Sequence, residues 1–243
     1  MSRIRIRSFL YGSRAFSPLR SIYQSIFDHQ RLKVRRERRN FYRHFILPKD
    51  LVFDIGANVG TYAETFAELG ARVIAVEPDP ACWDSLSHLA KMKNVVIERY
   101  ALGASPGVIN FHLGSASICS TAVPRLATTS RGNREVPVLT LNQLSEMYGL
   151  PNFVKIDCEG FDDQVLQGMS FFPRSLSFEY LLYYLGPALC CLKTLDHSGY
   201  EFNYIRGDNY RMMGEWVTAS VMSQQLEALS GNPQYGDVFA RRK

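Results

Sequence analysis

The run Leu51-Val52-Phe53-Asp54-Ile55-Gly56-Ala57-Asn58-Val59-Gly60-Thr61 constrains this chain more than any other stretch. A short, β-leaning apolar segment carrying an acid is followed by a turn bounded by Gly56 and Gly60. Tyr62, Phe66 and Leu69 then recur at helical spacing, and Gly70 closes the pattern. The run therefore reads as a strand, a tight loop and a helix N-terminus. Glycine supplies the backbone angles and the close approach that such a turn needs. Amides at a helix start suit an anionic group such as a carboxylate or phosphate.

Spacing then selects among nucleoside ligands. The dinucleotide fingerprint is G-x-G-x-x-G, whereas Gly56 and Gly60 give only G-x-x-x-G, with Asp54 just before the loop. At the distance where that fold places an acid, the second strand, Val73-Ile74-Ala75-Val76, ends in Glu77-Pro78-Asp79-Pro80. An acid there can accept both ribose hydroxyls. The loop and Glu77 together resemble the S-adenosylmethionine (SAM) site of a class I methyltransferase and disfavour NAD.

Composition bounds the rest. A chain of 243 residues, 46% hydrophobic and 21% charged, can bury one large α/β core without disulfide staples. Cys82, Cys119, Cys158, Cys190 and Cys191 form no C-x-x-C pair, which points away from a zinc site or disulfide framework and toward a reducing, cytoplasmic setting. Residues 1–50 hold 13 basic against three acidic residues, so the remainder is mildly acidic. No apolar run approaches the roughly 18 residues that span a bilayer.

Residues 1–28 carry no strong pattern. From Arg31 to Ile46 a helical period sets Val34, Phe41 and Phe45 on one side, and Arg31, Arg35, Arg36, Arg38, Arg39 and Arg43 on another. This predicts a docking helix, ended by Pro48, with a solvated arginine face. The same face suits peripheral contact with an anionic membrane or, as an alternative, nucleic acid. Asp79 and Pro80 open a helix whose stripe is Trp83, Leu86, Leu89 and Ala90. A third strand over 95–100 leads into Ala101-Leu102-Gly103, and 108–113 alternates as a strand. Residues 114–134 are small, polar and aperiodic, and are expected to form a substrate-covering loop before a strand at 136–139. A second landmark, Asn152 to Gly160, is again an apolar strand ending in acids, and Leu176 to Tyr180 is a fifth strand bearing Glu179. In open parallel sheets ligands lie beyond the carboxyl ends of the strands. Asp54, Glu77, Asp157, Glu159 and Glu179 all fall near such ends.

Several blocks resemble the FkbM-type SAM-dependent methyltransferases: Phe53 to Thr61, Val76 to Pro80, Ala101 to Gly103, Val138 to Leu144 and, most specific in combination, Lys155 to Gly168. The resemblance implies an α/β, three-layer Rossmann-like sheet, mostly parallel with seven strands. Residues 1–47 would form a basic N-terminal segment and 48–243 the methyltransferase domain. It further implies SAM against Asp54, Gly56, Ala57, Asn58, Gly60, Thr61, Glu77 and Pro78, with Ala101 beside the adenine, and O-methylation of a sugar, glycan or secondary metabolite. Asn142 stands where the family commonly has an acid, and Asp162 where it has glutamate.

Methyl transfer to a hydroxyl needs alignment and a proton acceptor. Asp157 is the first candidate to face the reacting methyl, with Glu159 and Glu179 as general base or acceptor-orienting groups. No resident metal is assigned, although Asp157, Glu159, Glu179 and Asp208 offer oxygens of the kind magnesium prefers. His112 and His197 are further base candidates. The competing classes are a nucleic-acid methyltransferase, an NAD-dependent oxidoreductase and a SAM-binding protein without turnover.

Overall fold

The computed structural model describes residues 17–114, 120–127 and 130–242. Cys119, most of the patternless N-terminus and two pieces of the expected covering loop lie outside the described residues. The chain divides into two compact units, residues 1–40 and 41–243. Helix α1 (Ser17–Tyr42) runs through the first. It starts earlier than expected and stops at Tyr42 rather than near Pro48, because the next amides fold back in tight turns, His44 to the Phe41 carbonyl and Phe45 to that of Tyr42. Phe41 and Phe45, in the second unit, are buried, while Val34 is exposed. Among the described residues no helix is long and apolar enough to cross a membrane.

The second unit is built on seven strands: β1 (Leu51–Ile55), β2 (Arg72–Val76), β3 (Val95–Glu98), β7 (Phe153–Ile156), β8 (Ser175–Leu181), β9 (Tyr200–Tyr204) and β10 (Tyr235–Arg242). Their order is β3-β2-β1-β7-β8-β10-β9. All pairs are parallel except the two made by β10. This is the mostly parallel, seven-stranded Rossmann-like sheet that the resemblance implies. The helices are α2 (Thr61–Glu68), α3 (Pro80–Leu89), α4 (Leu141–Tyr148), α5 (Asp162–Gln167), α6 (Gly186–Leu195) and α7 (Ala219–Ala228). Local chemistry starts them where the sequence indicates. Asp79 accepts from the Ala81 amide with Pro80 in the first turn, and Thr140 with Gln143 forms a capping box. In α3 the buried stripe is Cys82, Leu86 and Leu89, and Ala90 is exposed.

Strand side chains alternate between faces, and the alternation sorts the core. Phe53, Ile55, Ile74, Val76, Val154, Ile156, Leu176 and Phe178 pack with α4 to α7 on one face. Val52, Val73, Ala75, Phe153 and Phe239 pack with α2, α3 and residues 41–46 on the other. Asp54, Lys155, Ser177, Glu179 and Asp237 share the parity of this second face. It is therefore apolar toward the amino ends of the parallel strands and polar toward their carboxyl ends.

One expectation fails. Strand β6 (Ser130–Leu139) starts ahead of Val136 and pairs with β5 (Gly107–Gly114) out to Gly114; with β4 (Ala101–Leu102) they make a separate three-stranded sheet. The polar stretch 130–134 carries no alternation because its ladder bonds to β5, and not a buried face, specify it.

Candidate active site

The carboxyl ends of β1, β2, β7 and β8 converge on one crevice. Gly56, Asn58 and Gly60 all take positive φ, and a Cβ on Gly56 would lie 1.9 Å from the Asp157 carbonyl oxygen. Glycine there lets the β1 loop press against the β7 loop. The loop amides ahead of the helix turn inward. Gly56 and Ala57 both donate to the Val76 carbonyl, and Gly60 donates to that of Ala57. Val59 donates to the Asn58 side chain. The Asn58 amide donates to Glu77 Oε2 at 2.7 Å, and the Asp79 amide donates to Oε1 at 2.6 Å. Glu77 thus holds the glycine loop, and each of its oxygens keeps a lone pair for a ribose hydroxyl. Burial pushes its carboxyl up to about 7, against the two amide bonds. Pro78 follows it, half-buried, and Thr61 opens α2 with its carbonyl accepting from the Thr65 hydroxyl.

Across the crevice, Asp54, Lys155 and Ser177 stand level in the ladder. Lys155 is 1% exposed and donates to Asp157 Oδ2 at 2.8 Å, with Asp237 Oδ1 at 3.8 Å and the Tyr62 ring centroid at 4.4 Å. Burial alone would lower its pKa; Asp157 and Asp237 outweigh that and hold it well above the ordinary lysine range. Sequence reasoning placed Lys155 in a motif without a role and missed Asp237, which arrives on the antiparallel strand opposite Glu179.

Asp157, Glu159 and Glu179 each place an oxygen within 4.8 Å of the others. Glu159 takes φ 50, a conformation costly for a non-glycine residue. Burial, then Asp157 and Asp162, push its carboxyl up to about 8. Burial, then Asp157 and Glu159, raise Glu179 well above the carboxylate range; its Oε2 is sealed and has no hydrogen-bond partner among the described residues. Asp162 accepts from the amides of Cys158 and Glu179, tying the β7 loop to β8. Asn142 accepts from the amide and hydroxyl of Ser170 and braces the turn after α5.

Other candidates fall elsewhere. Ala101 is buried in the small sheet with Phe111, Val136 and Val138, so its side chain does not join the cluster. Asp208 accepts from the Tyr235 hydroxyl and is not in the three-acid group. His112 bonds Asn133 in the small sheet, and exposed His197 precedes β9, at the opposite end of the strands. Part of the expected covering loop does overlie the crevice: Ser120 donates to Asp79, Thr121 to the Glu159 carbonyl, and Arg131 pairs with Asp79 at 2.8 Å.

Residues 54–184, more than half the chain, match the FkbM methyltransferase domain, with the glycine loop, Glu77 and the three clustered acids inside the match. The chain belongs to the FkbM methyltransferase family. Hexuronic acid methyltransferase AglP of Haloferax volcanii is 31% identical over 133 residues, covering 53% of this FkbM chain and 54% of that protein, so the match spans about half the relative's length. Among solved structures, the precorrin-6y C5,15-methyltransferase of Geobacter metallireducens aligns with a TM-score of 0.46 and 13% identity over 87% of each chain. Fibrillarin of Aeropyrum pernix with natively bound SAM gives 0.46 and 12% over 81% of this chain and 68% of that one. The methyl donor of an FkbM methyltransferase is SAM, and the crevice fits it chemically. One buried lysine faces several carboxylates, an environment that favours the cationic sulfonium, and each Glu77 oxygen, with one amide bond, has capacity for a further donor.

Proposed function

We propose that this protein transfers the methyl group of SAM to a hydroxyl oxygen of a sugar or glycan, with a hexuronic acid residue as the first acceptor to test. The observation that carries the reading is the Asp157–Glu159–Glu179 cluster, with oxygens within 4.8 Å of one another beside the glycine loop. The sugar class is supported by the likeness to a hexuronic acid methyltransferase. SAM supplies an electrophilic methyl on a cationic sulfur. Lys155 fixes Asp157 at the crevice wall, where its carboxylate attracts that positive charge. Glu159, with its carboxyl pushed up to about 8, accepts the acceptor's hydroxyl proton as the new C–O bond forms. Glu179 orients the hydroxyl. Ser120, Thr121 and Arg131, anchored on Asp79 and the Glu159 carbonyl, help exclude water. A divalent cation in the same cluster is the second reading, favoured by the same oxygen spacing.

Isotope-labelled SAM incubated with uronic-acid glycans, neutral sugars and RNA tests the proposal. Label is expected in a sugar methyl ether, and label confined to RNA bases would refute it. Excess EDTA leaves the rate unchanged if Glu159 is the base, and abolishes it reversibly with magnesium if a metal acidifies the hydroxyl. The basic segment 31–43 provides peripheral contact with an anionic membrane, at about 1 kcal/mol per basic residue near the surface. Co-sedimentation with anionic vesicles, lost in high salt, is expected; salt-sensitive RNA binding without vesicle binding would favour the nucleic-acid alternative.

A further inference from the structure

On the same face of the sheet as the carboxylate cluster, but at the opposite ends of the strands, lies a cavity of about 420 Å³. That volume is within the range of small-molecule sites. Ser175 and Glu179 are four residues apart on β8, so about 13 Å separates the two regions at ~3.3 Å per residue. The rings of Tyr42, Tyr62 and Phe239 pack between them. The wall is aromatic: Phe45 stacks on Phe239 with centroids 5.0 Å apart and contacts Trp216, while Tyr210 packs on Phe41.

The polar lining is cationic. Arg174 is held by Asp50 and the Phe45 carbonyl. Arg241 pairs with Glu201 at 2.7 Å and lies 4.0 Å over the Trp216 ring. Arg211 lines the same cavity without a carboxylate partner among the described residues. Arg242 lines the cavity as well, so four arginines surround it.

We propose that this cavity is a second binding site, distinct from the methyl-transfer crevice, for a phosphoryl group carried on an aromatic or other apolar body. Arginines arranged around one cavity suit a doubly charged, multi-oxygen acceptor better than a single carboxylate. Phe45, Tyr210 and Trp216 line the part that takes the body of the ligand. Neither the family match nor the proposed methyl transfer requires such a site.

The test uses the full chain, saturated with SAM, titrated calorimetrically with phenyl phosphate, inorganic phosphate and benzoate, and in a parallel arm with phosphatidic acid vesicles. Phenyl phosphate is expected to bind at one site and more tightly than either fragment. Arg211→Ala weakens it about tenfold or more, as loss of a charge-assisted hydrogen bond does. Trp216→Leu weakens phenyl phosphate several-fold while leaving inorganic phosphate unchanged. SAM affinity, measured on each variant, reports folding. Binding of vesicles but not phenyl phosphate, with the same dependence on Arg211 and Trp216, assigns the phosphoryl group to a lipid. Absence of binding in both arms, or binding indifferent to both substitutions, overturns the proposal.

Discussion

Lys155→Met removes a buried cation of the crevice and keeps most of its apolar stem. Asp157 and Asp237 then face each other's field without compensation, and Asp237, already pushed up to about 6 with the lysine present, rises further. Breaking a buried ion pair by deleting one partner costs about 3–5 kcal/mol. At about 2–4 °C per kcal/mol for a chain of this size, the melting temperature should fall by about 6–20 °C at pH 7.5. The deficit is also pH-dependent. An acid whose folded pKa lies above its unfolded value of about 3.9 binds more protons in the folded state, so its contribution is present at low pH and lost as pH rises through the folded value. The deficit should therefore shrink between pH 7.5 and pH 5, and Lys155→Met/Asp237→Asn should recover part of it at pH 7.5. Differential scanning fluorimetry across that range decides. A variant melting within 2 °C of the parent at pH 7.5 on this scale, or an equal deficit at both pH values, would refute the assigned role of Lys155.

Gly56→Ala forces an alanine into a left-handed conformation, about 1–2 kcal/mol, and drives its Cβ against the Asp157 carbonyl at 1.9 Å. Calorimetry should show SAM affinity down by about tenfold, whereas Gly186→Ala, where a Cβ meets nothing within 4 Å, should leave it unchanged. Because Glu159 is pushed up to about 8, it gains negative charge as pH rises from 7 to 9; SAM affinity should climb several-fold over that window. The demethylated product, with its neutral sulfur, should not respond, and a matching rise for both ligands would count against the cluster as the sulfonium's neighbour. Asp79→Ala removes the α3 cap, about 1 kcal/mol, and the anchors of Ser120 and Arg131. Trypsin should then cleave faster at Arg125 and Arg131, and an unchanged cleavage rate would detach the covering segment from Asp79.

What the sequence made readable was local and periodic. The apolar strands, the glycine loop and the Asp79 cap each specify their element within a few residues, and Asp54, Asp157 and Glu179 are read near the carboxyl ends of their strands. What it hid depends on distant partners. Ser130 to Arg134 become strand only through pairing with β5, and Ala101 joins a separate small sheet because β4 pairs with β6. Glu77 reads as a ribose acid, yet its first visible work is to bind two loop amides. Lys155 and Asp237, 82 positions apart in the sequence, meet only because β10 enters antiparallel opposite Glu179. A lysine inside an apolar strand, at a position whose neighbours are all buried, was the available signal that it required carboxylate partners.

The decisive measurement pairs single-turnover methyl transfer from labelled SAM to a uronic-acid glycan with a SAM titration, on the parent and on Glu159→Gln. Loss of a general base typically lowers the rate by about 10²–10⁴-fold. Glu159→Gln should therefore lose transfer by about that factor while binding SAM within a few-fold of the parent. Transfer at the parental rate by Glu159→Gln, or a parent that binds no SAM, would contradict the assignment of this crevice as the methyl-transfer site.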